Sequence, residues 1–127
     1  MIRIGINGFR RIGRCVTRHI MNDRNDMKIV QINATGGEKT NMHLLKYDSV
    51  HGRYTGAIHD PILWTEERDI AEIKWDDVDV VLECTGAYNN GMQCIHHTVN
   101  GARKVVISAP ADDCKHTIVY GVNHNDL

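Results

Sequence analysis

The chain has 127 residues, with 15 lysines and arginines against 16 aspartates and glutamates, which leaves a formal net charge of −1. This length is enough for a single domain, spanning residues 1–127, with a substantial core. A balance so close to neutral offers no basic surface for nucleic acid, and the apolar segments are too short to cross a membrane, so we expect a cytoplasmic protein with neither partner.

The first predicted elements are a strand, a glycine turn and a helix. Apolar residues at positions 2, 4 and 6 stop at Gly8, and an apolar pattern with helical spacing then occupies positions 12, 15, 16 and 20. A helix that begins directly after such a turn presents N–H groups without partners and the positive end of its dipole. This layout is typical of a phosphate-binding site.

The glycines of this turn fit two of the three positions in the dinucleotide-binding pattern G-x-G-x-x-G. Gly8 fills the first position, which makes the turn, and Gly13 fills the third, which allows close packing of helix on strand. Arg10 occupies the second position, where the backbone approaches the pyrophosphate. On these residues alone, two packing glycines at an ordinary turn are an equally good interpretation.

The middle of the chain predicts a second strand over residues 28–33, which ends at Ala34 and Thr35, and a short helix over residues 40–46. Residues 47–63 are ambiguous. Residues 62–65 suggest a strand, and residues 69–73 suggest one helical turn opened by an aspartate cap.

The second half predicts strands over residues 78–83, 104–108 and 117–120, and a helix over residues 90–100 that ends at a glycine. Near-continuous valine and isoleucine runs are typical of parallel strands covered on both faces. The alternation of strands and helices predicts an α/β fold, a Rossmann-type doubly wound, mostly parallel sheet with helices on both faces. Ligands of such folds bind beyond the carboxyl ends of the strands.

Several segments resemble the N-terminal, coenzyme-binding half of phosphorylating glyceraldehyde-3-phosphate dehydrogenases. They run in the order of that family, at residues 6–9, 11–14, 45–52, 67–69, 83–86, 107–110 and 120–124. The resemblance covers nearly the whole chain and implies a domain that binds NAD or NADP. Erythrose-4-phosphate dehydrogenases share the architecture and remain an alternative.

The resemblance also implies which residues contact the cofactor. Backbone amides of Arg11 and Ile12 would bind the pyrophosphate, Arg68 would lie near the adenine, Thr85 would face the ribose and Ser108 the nicotinamide end. The complete predicted set is Asn7, Gly8, Arg10, Arg11, Ile12, Gly13, Ala34, Thr35, Arg68, Thr85, Gly86 and Ser108.

No catalytic residue is predicted in these 127 residues. In the family, a nucleophilic cysteine follows the Val-Asn-His segment and its histidine partner lies further on, whereas this sequence stops at Leu127. We therefore expect the chain to hold and orient the cofactor for hydride transfer in a parent enzyme and to show no turnover alone. The alternative is a fragment or engineered interaction module that keeps the fold with weakened nucleotide binding.

Three departures from the family bear on the cofactor. Arg10 replaces the glycine closest to the pyrophosphate, which we expect to weaken binding by a steric clash, although its charge could also neutralise phosphate. Ala34 replaces the acidic residue that binds the adenosine ribose, so Thr35, with Lys39 or Arg68, could accept the 2′-phosphate of NADP. The connection over residues 55–65 is shorter than the family norm.

The other reactive side chains are interpreted as structural. The four cysteines lack C-x-x-C spacing and are expected to be reduced, with Cys15 and Cys84 inert and buried. The eight histidines lack zinc-ligand spacing, so no metal site is predicted. Arg14 is interpreted as a solvated surface cation. The resemblance leaves a homo-oligomer open.

Overall fold

The computed structural model describes residues 1–58 and 60–127 of the chain. In chain order its main elements are β1 (Ile2–Asn7), α1 (Arg11–Asp23), β2 (Met27–Asn33), α2 (Gly37–Lys46), β3 (Tyr47–Asp48), β4 (Gly52–Arg53), β5 (Leu63–Thr65), β6 (Val80–Glu83), α3 (Gly91–Val99) and β7 (Lys104–Ile107). Single turns of 3-10 helix lie at Ile70–Glu72 and His124–Asp126.

The central sheet has the order β5-β2-β1-β6-β7, and each of its neighbouring pairs is parallel. Strand β1 is in the middle, and the chain reverses its direction of winding between β1 and β6. This order confirms the predicted Rossmann-type α/β fold. In such folds the ligand crevice lies where the strand order reverses, which here is the carboxyl end of β1.

The two faces of the sheet carry separate apolar clusters, because successive side chains of a strand point to opposite faces. Ile4 of β1 belongs to a cluster that includes Ile20 of α1 and Leu45 of α2. Gly5 faces the other cluster, and a Cβ there would lie 2.7 Å from a ring carbon of Trp75. Helix α3 packs on that second face. Helices on both faces were predicted and are found.

The predicted strand over residues 117–120 is wrong, since those residues form no strand in the structure. A local polar turn takes its place. The Asn123 side chain accepts a hydrogen bond from the backbone N–H of Val119 at 2.7 Å and donates to the Thr117 carbonyl at 2.9 Å. Side-chain hydrogen bonds of this kind compete with a sheet ladder, and an isoleucine-valine run becomes a strand only where a neighbouring strand packs on it.

Other predicted elements are found with shifted ends. Helix α2 begins at Gly37, three positions earlier than predicted, and β6 is two residues shorter at its start. The cap by Asp69 is confirmed, because its carboxylate accepts a hydrogen bond from the Ala71 N–H at 3.0 Å. Within the ambiguous region, β3 and β4 form a hairpin, while His59 lies outside the described residues. Among the described residues, no helix is long and apolar enough to span a bilayer.

Candidate functional site

A cleft of about 640 Å³ lies beyond the carboxyl ends of β1, β2 and β6. Its volume is within the range of small-molecule and cofactor sites. The residues that line it are Asn7, Gly8, Phe9, Arg10, Arg14, Asn33, Ala34, Thr35, Asn41, Leu44, Glu67, Arg68, Thr85, Gly86, Ala87 and Tyr88. A second cavity of about 210 Å³ lies at the amino ends of β1 and β2, away from this edge.

The turn between β1 and α1 depends on two glycines. Gly8 has φ +93°, and a Cβ there would lie 2.7 Å from the backbone nitrogen of Thr85. A Cβ on Gly13 would overlap the carbonyl oxygen of Gly8. The start of α1 is therefore packed directly on the strand that it follows, which brings the helix N-terminus to the cleft.

The N-terminus of α1 has no side-chain cap, and its first turn has no acidic residue. The N-terminus of α3 is different, because the Asp113 carboxylate accepts hydrogen bonds from the Gly91 and Met92 N–H groups at 2.7 and 3.1 Å. The Asn90 side chain accepts from a third N–H of that turn. Since the first N–H groups of a helix have no intrahelical partners, those of α1 remain available to an anion.

Arg10 precedes α1 with φ −83° and ψ −156°, an extended conformation that any residue adopts. The backbone at this position does not require a glycine. The Arg10 side chain is exposed and lines the cleft. Any effect of Arg10 on a ligand therefore comes from the volume and charge of its side chain rather than from a strained loop.

Arg14 also lines the cleft, although the sequence analysis interpreted it as a solvated surface cation. It is half-buried, and its Nη1 donates a hydrogen bond to the Phe9 carbonyl at 2.9 Å. Its Nε is buried and has no hydrogen-bond partner within the described part of the chain. Helical spacing could have predicted that Arg14 lies beside the cleft, because residue 14 comes one turn after Arg10 on the same side of the helix.

The floor of the cleft is a buried polar network across three strands. Asn7 of β1 is in register with Asn33 of β2 and Glu83 of β6. The Asn7 amide donates to Glu83 Oε2 at 2.6 Å and accepts from the Asn33 amide at 2.9 Å. The hydroxyl and N–H of Thr85 both donate to Glu83 Oε1, at 2.5 and 2.9 Å. These bonds fix the strand ends that line the cleft.

The network continues through the sheet to α3. His97 Nε2 lies 2.8 Å from Glu83 Oε2, and the indole N–H of Trp75 donates to His97 Nδ1 at 3.0 Å. Because an indole only donates, Nδ1 must accept and Nε2 must carry the proton toward the carboxylate. Burial raises the pKa of Glu83, but the hydrogen bonds from His97, Thr85 and Asn7 outweigh it and hold that pKa below its usual value.

One side of the cleft is formed by the end of β2 and by α2. Ala34 is buried, and Thr35 beside it is exposed. The buried Asn41 side chain donates to the carbonyls of Thr35 and Gly37, at 3.1 and 2.9 Å, and so fixes this loop. Asn41 is not among the predicted site residues. An asparagine four residues after a glycine at a helix start is a signal for such a contact.

The twelve predicted cofactor residues divide into three groups. Eight of them line the cleft, namely Asn7, Gly8, Arg10, Ala34, Thr35, Arg68, Thr85 and Gly86. Arg11, Ile12 and Gly13 form the first turn of α1, where only their backbone N–H groups are relevant. Ser108 follows β7 and is exposed outside the lining residues. Within residues 1–58 and 60–127, no three histidine, cysteine or acidic side chains are grouped as a metal site.

Comparison with known proteins gives a consistent match. A family model described as "Glyceraldehyde 3-phosphate dehydrogenase, NAD binding domain" matches residues 2–91. A glyceraldehyde-3-phosphate dehydrogenase of Cereibacter sphaeroides is 44% identical over 137 residues, covering 99% of this chain and 41% of the relative. The relatives from Bacteroides fragilis (44% over 137 residues) and Trypanosoma brucei brucei (cytosolic, 43% over 136 residues) each cover 98% of this chain and 41% of themselves.

The chain thus spans about two-fifths of the length of the curated relatives it matches. The alignment of 137 positions with the Cereibacter sphaeroides protein exceeds the 127 residues of this chain, so that relative has residues without a counterpart here.

Proposed function

Because the chain belongs to the family of glyceraldehyde 3-phosphate dehydrogenase NAD-binding domains, we propose that its cleft holds the dinucleotide with the pyrophosphate at the N-terminus of α1. The observation that carries this proposal is the uncapped first turn of α1, which has no acidic residue and begins beside two arginines that line the cleft. Unpartnered N–H groups and a positive helix end favour a diphosphate.

Arg14 supports the same assignment. Its buried Nε is without a hydrogen-bond partner within the described residues, and such an orphaned donor is costly unless a ligand or water satisfies it. A pyrophosphate oxygen beside the first turn of α1 would provide an acceptor. In this arrangement the amides of Arg11 and Ile12 bind the pyrophosphate, while Arg14 neutralises part of its charge.

The remaining assignments follow the length of the cleft. Arg68 is assigned to the adenine side, Thr85 and Gly86 to the ribose, and Ser108, which is outside the residues that line the cleft, to the nicotinamide end. Thr85 is the best supported of these, because its N–H and hydroxyl are both fixed by Glu83 in the floor of the cleft. A rigid residue positions a ligand at low entropic cost.

The cofactor preference is proposed to be relaxed between NAD and NADP. A carboxylate at the end of β2 would accept hydrogen bonds from the ribose hydroxyls and repel a 2′-phosphate. Ala34 does neither, exposed Thr35 lies next to it, and Arg68 is among the other residues that line the cleft. The Ala34→Asp variant is expected to shift the affinity ratio toward NAD, as measured by calorimetric titration with both dinucleotides.

Binding at α1 is tested by nuclear magnetic resonance on the isotope-labelled chain. We expect added NAD to shift the backbone amide signals of Arg11, Ile12 and Gly13. The amides of Gly91 and Met92 at the start of α3 are an internal control, because Asp113 already occupies them. Shifts confined to other regions, or no shift at millimolar NAD, would contradict the assignment and favour the interaction module.

In the whole enzyme, the role proposed for this domain is to hold and orient the cofactor for hydride transfer during oxidation of an aldehyde phosphate. Within the part of the chain that the structure describes, no cysteine lines the cleft. We therefore expect these 127 residues, assayed alone with glyceraldehyde 3-phosphate and NAD or NADP, to bind cofactor without producing NADH or NADPH. Sustained production of the reduced cofactor would contradict this.

A further inference from the structure

Cys15 is not the inert buried thiol that its apolar helix position predicted. It is only half-buried, and its Sγ lies 3.6 Å from Nδ1 and 3.8 Å from Nε2 of His51. His51 follows β3 in the hairpin, 36 residues away in sequence, and its ring is half exposed. A thiol and an imidazole from separate elements therefore meet outside the cofactor cleft.

Asp48 provides the third member of this cluster. Its Oδ1 accepts hydrogen bonds from the backbone N–H groups of Val50 and His51, both at 2.8 Å, and lies 3.3 Å from His51 Nδ1. The backbone hydrogen bonds from His51 and Val50 lower the pKa of Asp48 to about 2, so the carboxylate is ionised at neutral pH. In the tautomer that carries its proton on Nδ1, directed to Asp48, the other ring nitrogen, Nε2, lies 3.8 Å from Sγ and can accept the Cys15 proton.

We propose that Cys15 is a reactive thiol and a site of mixed-disulfide formation with small anionic disulfides, with His51 as its base and Asp48 as the residue that orients His51. This order, in which a nucleophile contacts a base that a third group orients, is the general arrangement for activating a thiol. Transfer of the proton from Cys15 to His51 gives a thiolate beside an imidazolium, and the thiolate is the form that attacks disulfides.

Thiol–disulfide exchange then modifies Cys15. The Cys15 thiolate attacks one sulfur of the small disulfide, and a new sulfur–sulfur bond forms as the original one breaks. The second sulfur leaves with the electron pair of the broken bond and takes the proton held by His51. The disulfide is the oxidant, because one of its sulfurs is reduced to a thiol while Cys15 is oxidised.

The surroundings of Cys15 favour an anionic reagent. Arg11 and Arg18 lie four residues before and three residues after Cys15, so they flank it on the surface of α1. Arg18 reaches the hairpin as well, where its Nη1 donates to the His51 carbonyl at 3.4 Å. Asp48 is the acidic residue of the hairpin that faces Cys15 and His51. Its Oδ1 already accepts hydrogen bonds from two backbone N–H groups.

The other cysteines provide comparators within the same chain. Cys84 is buried, and desolvation raises the pKa of its thiol. Cys94 is also buried, and desolvation raises its pKa to about 11. Cys114 is half-buried, like Cys15, but within the described residues it makes no hydrogen bond to a histidine. Exposure alone would therefore predict equal reactivity for Cys15 and Cys114.

The test measures the reaction of the full chain with oxidised glutathione at pH 7, with the modified cysteine located by peptide mass spectrometry. We expect Cys15 to react first, roughly tenfold faster than Cys114, since His51 lies beside Cys15 to take its proton as the sulfur attacks. His51→Gln should remove that advantage. The matched control is His96→Gln, an exposed histidine on α3. Equal rates for Cys15 and Cys114, or no effect of His51→Gln, would overturn the proposal.

One further variant and one further reagent separate the role of Asp48 from unfolding and test the preference for anionic disulfides. Asp48→Asn should lower the Cys15 rate by less than His51→Gln, and unchanged circular dichroism in both variants shows that the hairpin change has not unfolded the chain. The cationic disulfide cystamine should react more slowly with Cys15 than oxidised glutathione does, relative to their rates with Cys114. A faster relative reaction of cystamine would overturn the preference for anionic disulfides.

Discussion

The Nε2 atom of His97 lies 2.8 Å from Oε2 of Glu83, and both side chains are fully buried between α3 and the sheet. Through this contact Trp75, on the face opposite α1, is connected to Thr85 in the cleft. Each polar atom of the Glu83 carboxylate is used, two donors on each oxygen. When every member is paired, the network lowers the free energy of unfolding only slightly. Removal of one member leaves buried polar atoms without partners and lowers it substantially.

Glu83→Gln is expected to destabilise the fold. The glutamine amide nitrogen would face either the His97 and Asn7 donors or the Thr85 donors. The Thr85 hydroxyl can rotate and accept, so at least one hydrogen bond becomes a contact between donors in either orientation. We expect a loss of about 2–4 kcal/mol in the free energy of unfolding, the range for breaking a buried charged hydrogen-bond network. Urea denaturation measures it.

The matched control for that variant is Asp23→Asn, which breaks the pair between His19 and Asp23 on the surface of α1. Both of those side chains are about 60% exposed, so we expect a change within about 0.5 kcal/mol. If the two variants lose equal amounts of stability, the buried network contributes nothing beyond an ordinary surface pair.

The stability of the chain should decrease in acid, in part through Glu83. Its pKa in the folded chain lies below the ordinary value of 4.5. A lowered carboxylate pKa contributes stability above the unfolded value, and the contribution disappears as the pH falls through the folded value.

Asp48, Asp79 and Asp113 also have lowered pKa values and add to the same decrease. The difference in unfolding free energy between the natural chain and Glu83→Gln therefore isolates Glu83. That difference should be largest near pH 7 and should shrink below pH 4.5. A difference that grows as the pH falls would contradict the assignment of Glu83 as an ionised carboxylate.

Gly13→Ala is expected to disturb both stability and binding, because its Cβ would overlap the Gly8 carbonyl oxygen. We expect a loss of about 1–3 kcal/mol, typical of overpacking, and weaker NAD binding as the start of α1 moves from the strand. Gly91→Ala at the start of α3 is the control, since its Cβ would meet Asp113 at an ordinary distance of 3.4 Å. Thermal unfolding compares them, and equal melting temperatures would contradict this account.

The sequence was sufficient to predict features that depend on local pattern. The glycine turn at Gly8, the position of α1 and the cap by Asp69 are each determined by residues within one or two turns of chain. The fold class followed from the alternation of apolar strands and helices. The wrong strand at residues 117–120 shows the limit, because strand formation depends on a distant partner and Asn123 offered a local alternative.

The features that the sequence analysis missed depend on contacts between distant segments. Arg14 lies on the predicted helix, but its half-buried position and its hydrogen bond to the Phe9 carbonyl depend on the path of the turn. Cys15 is half-buried rather than buried as its spacing suggested, and its contact with His51 requires the hairpin that follows α2. The pair of Glu83 and His97 joins a strand to a helix. No sequence motif around either residue predicts this contact.

The central claim is that the N-terminus of α1 binds a dinucleotide pyrophosphate, and calorimetric titration with NAD of the natural chain and of Arg10→Gly tests it most directly. We predict saturable binding of one NAD per chain in both, with the Arg10→Gly affinity several-fold higher because the side-chain volume beside the pyrophosphate is removed. Absence of binding by both folded proteins would contradict the claim, and equal affinities would contradict the steric role of Arg10.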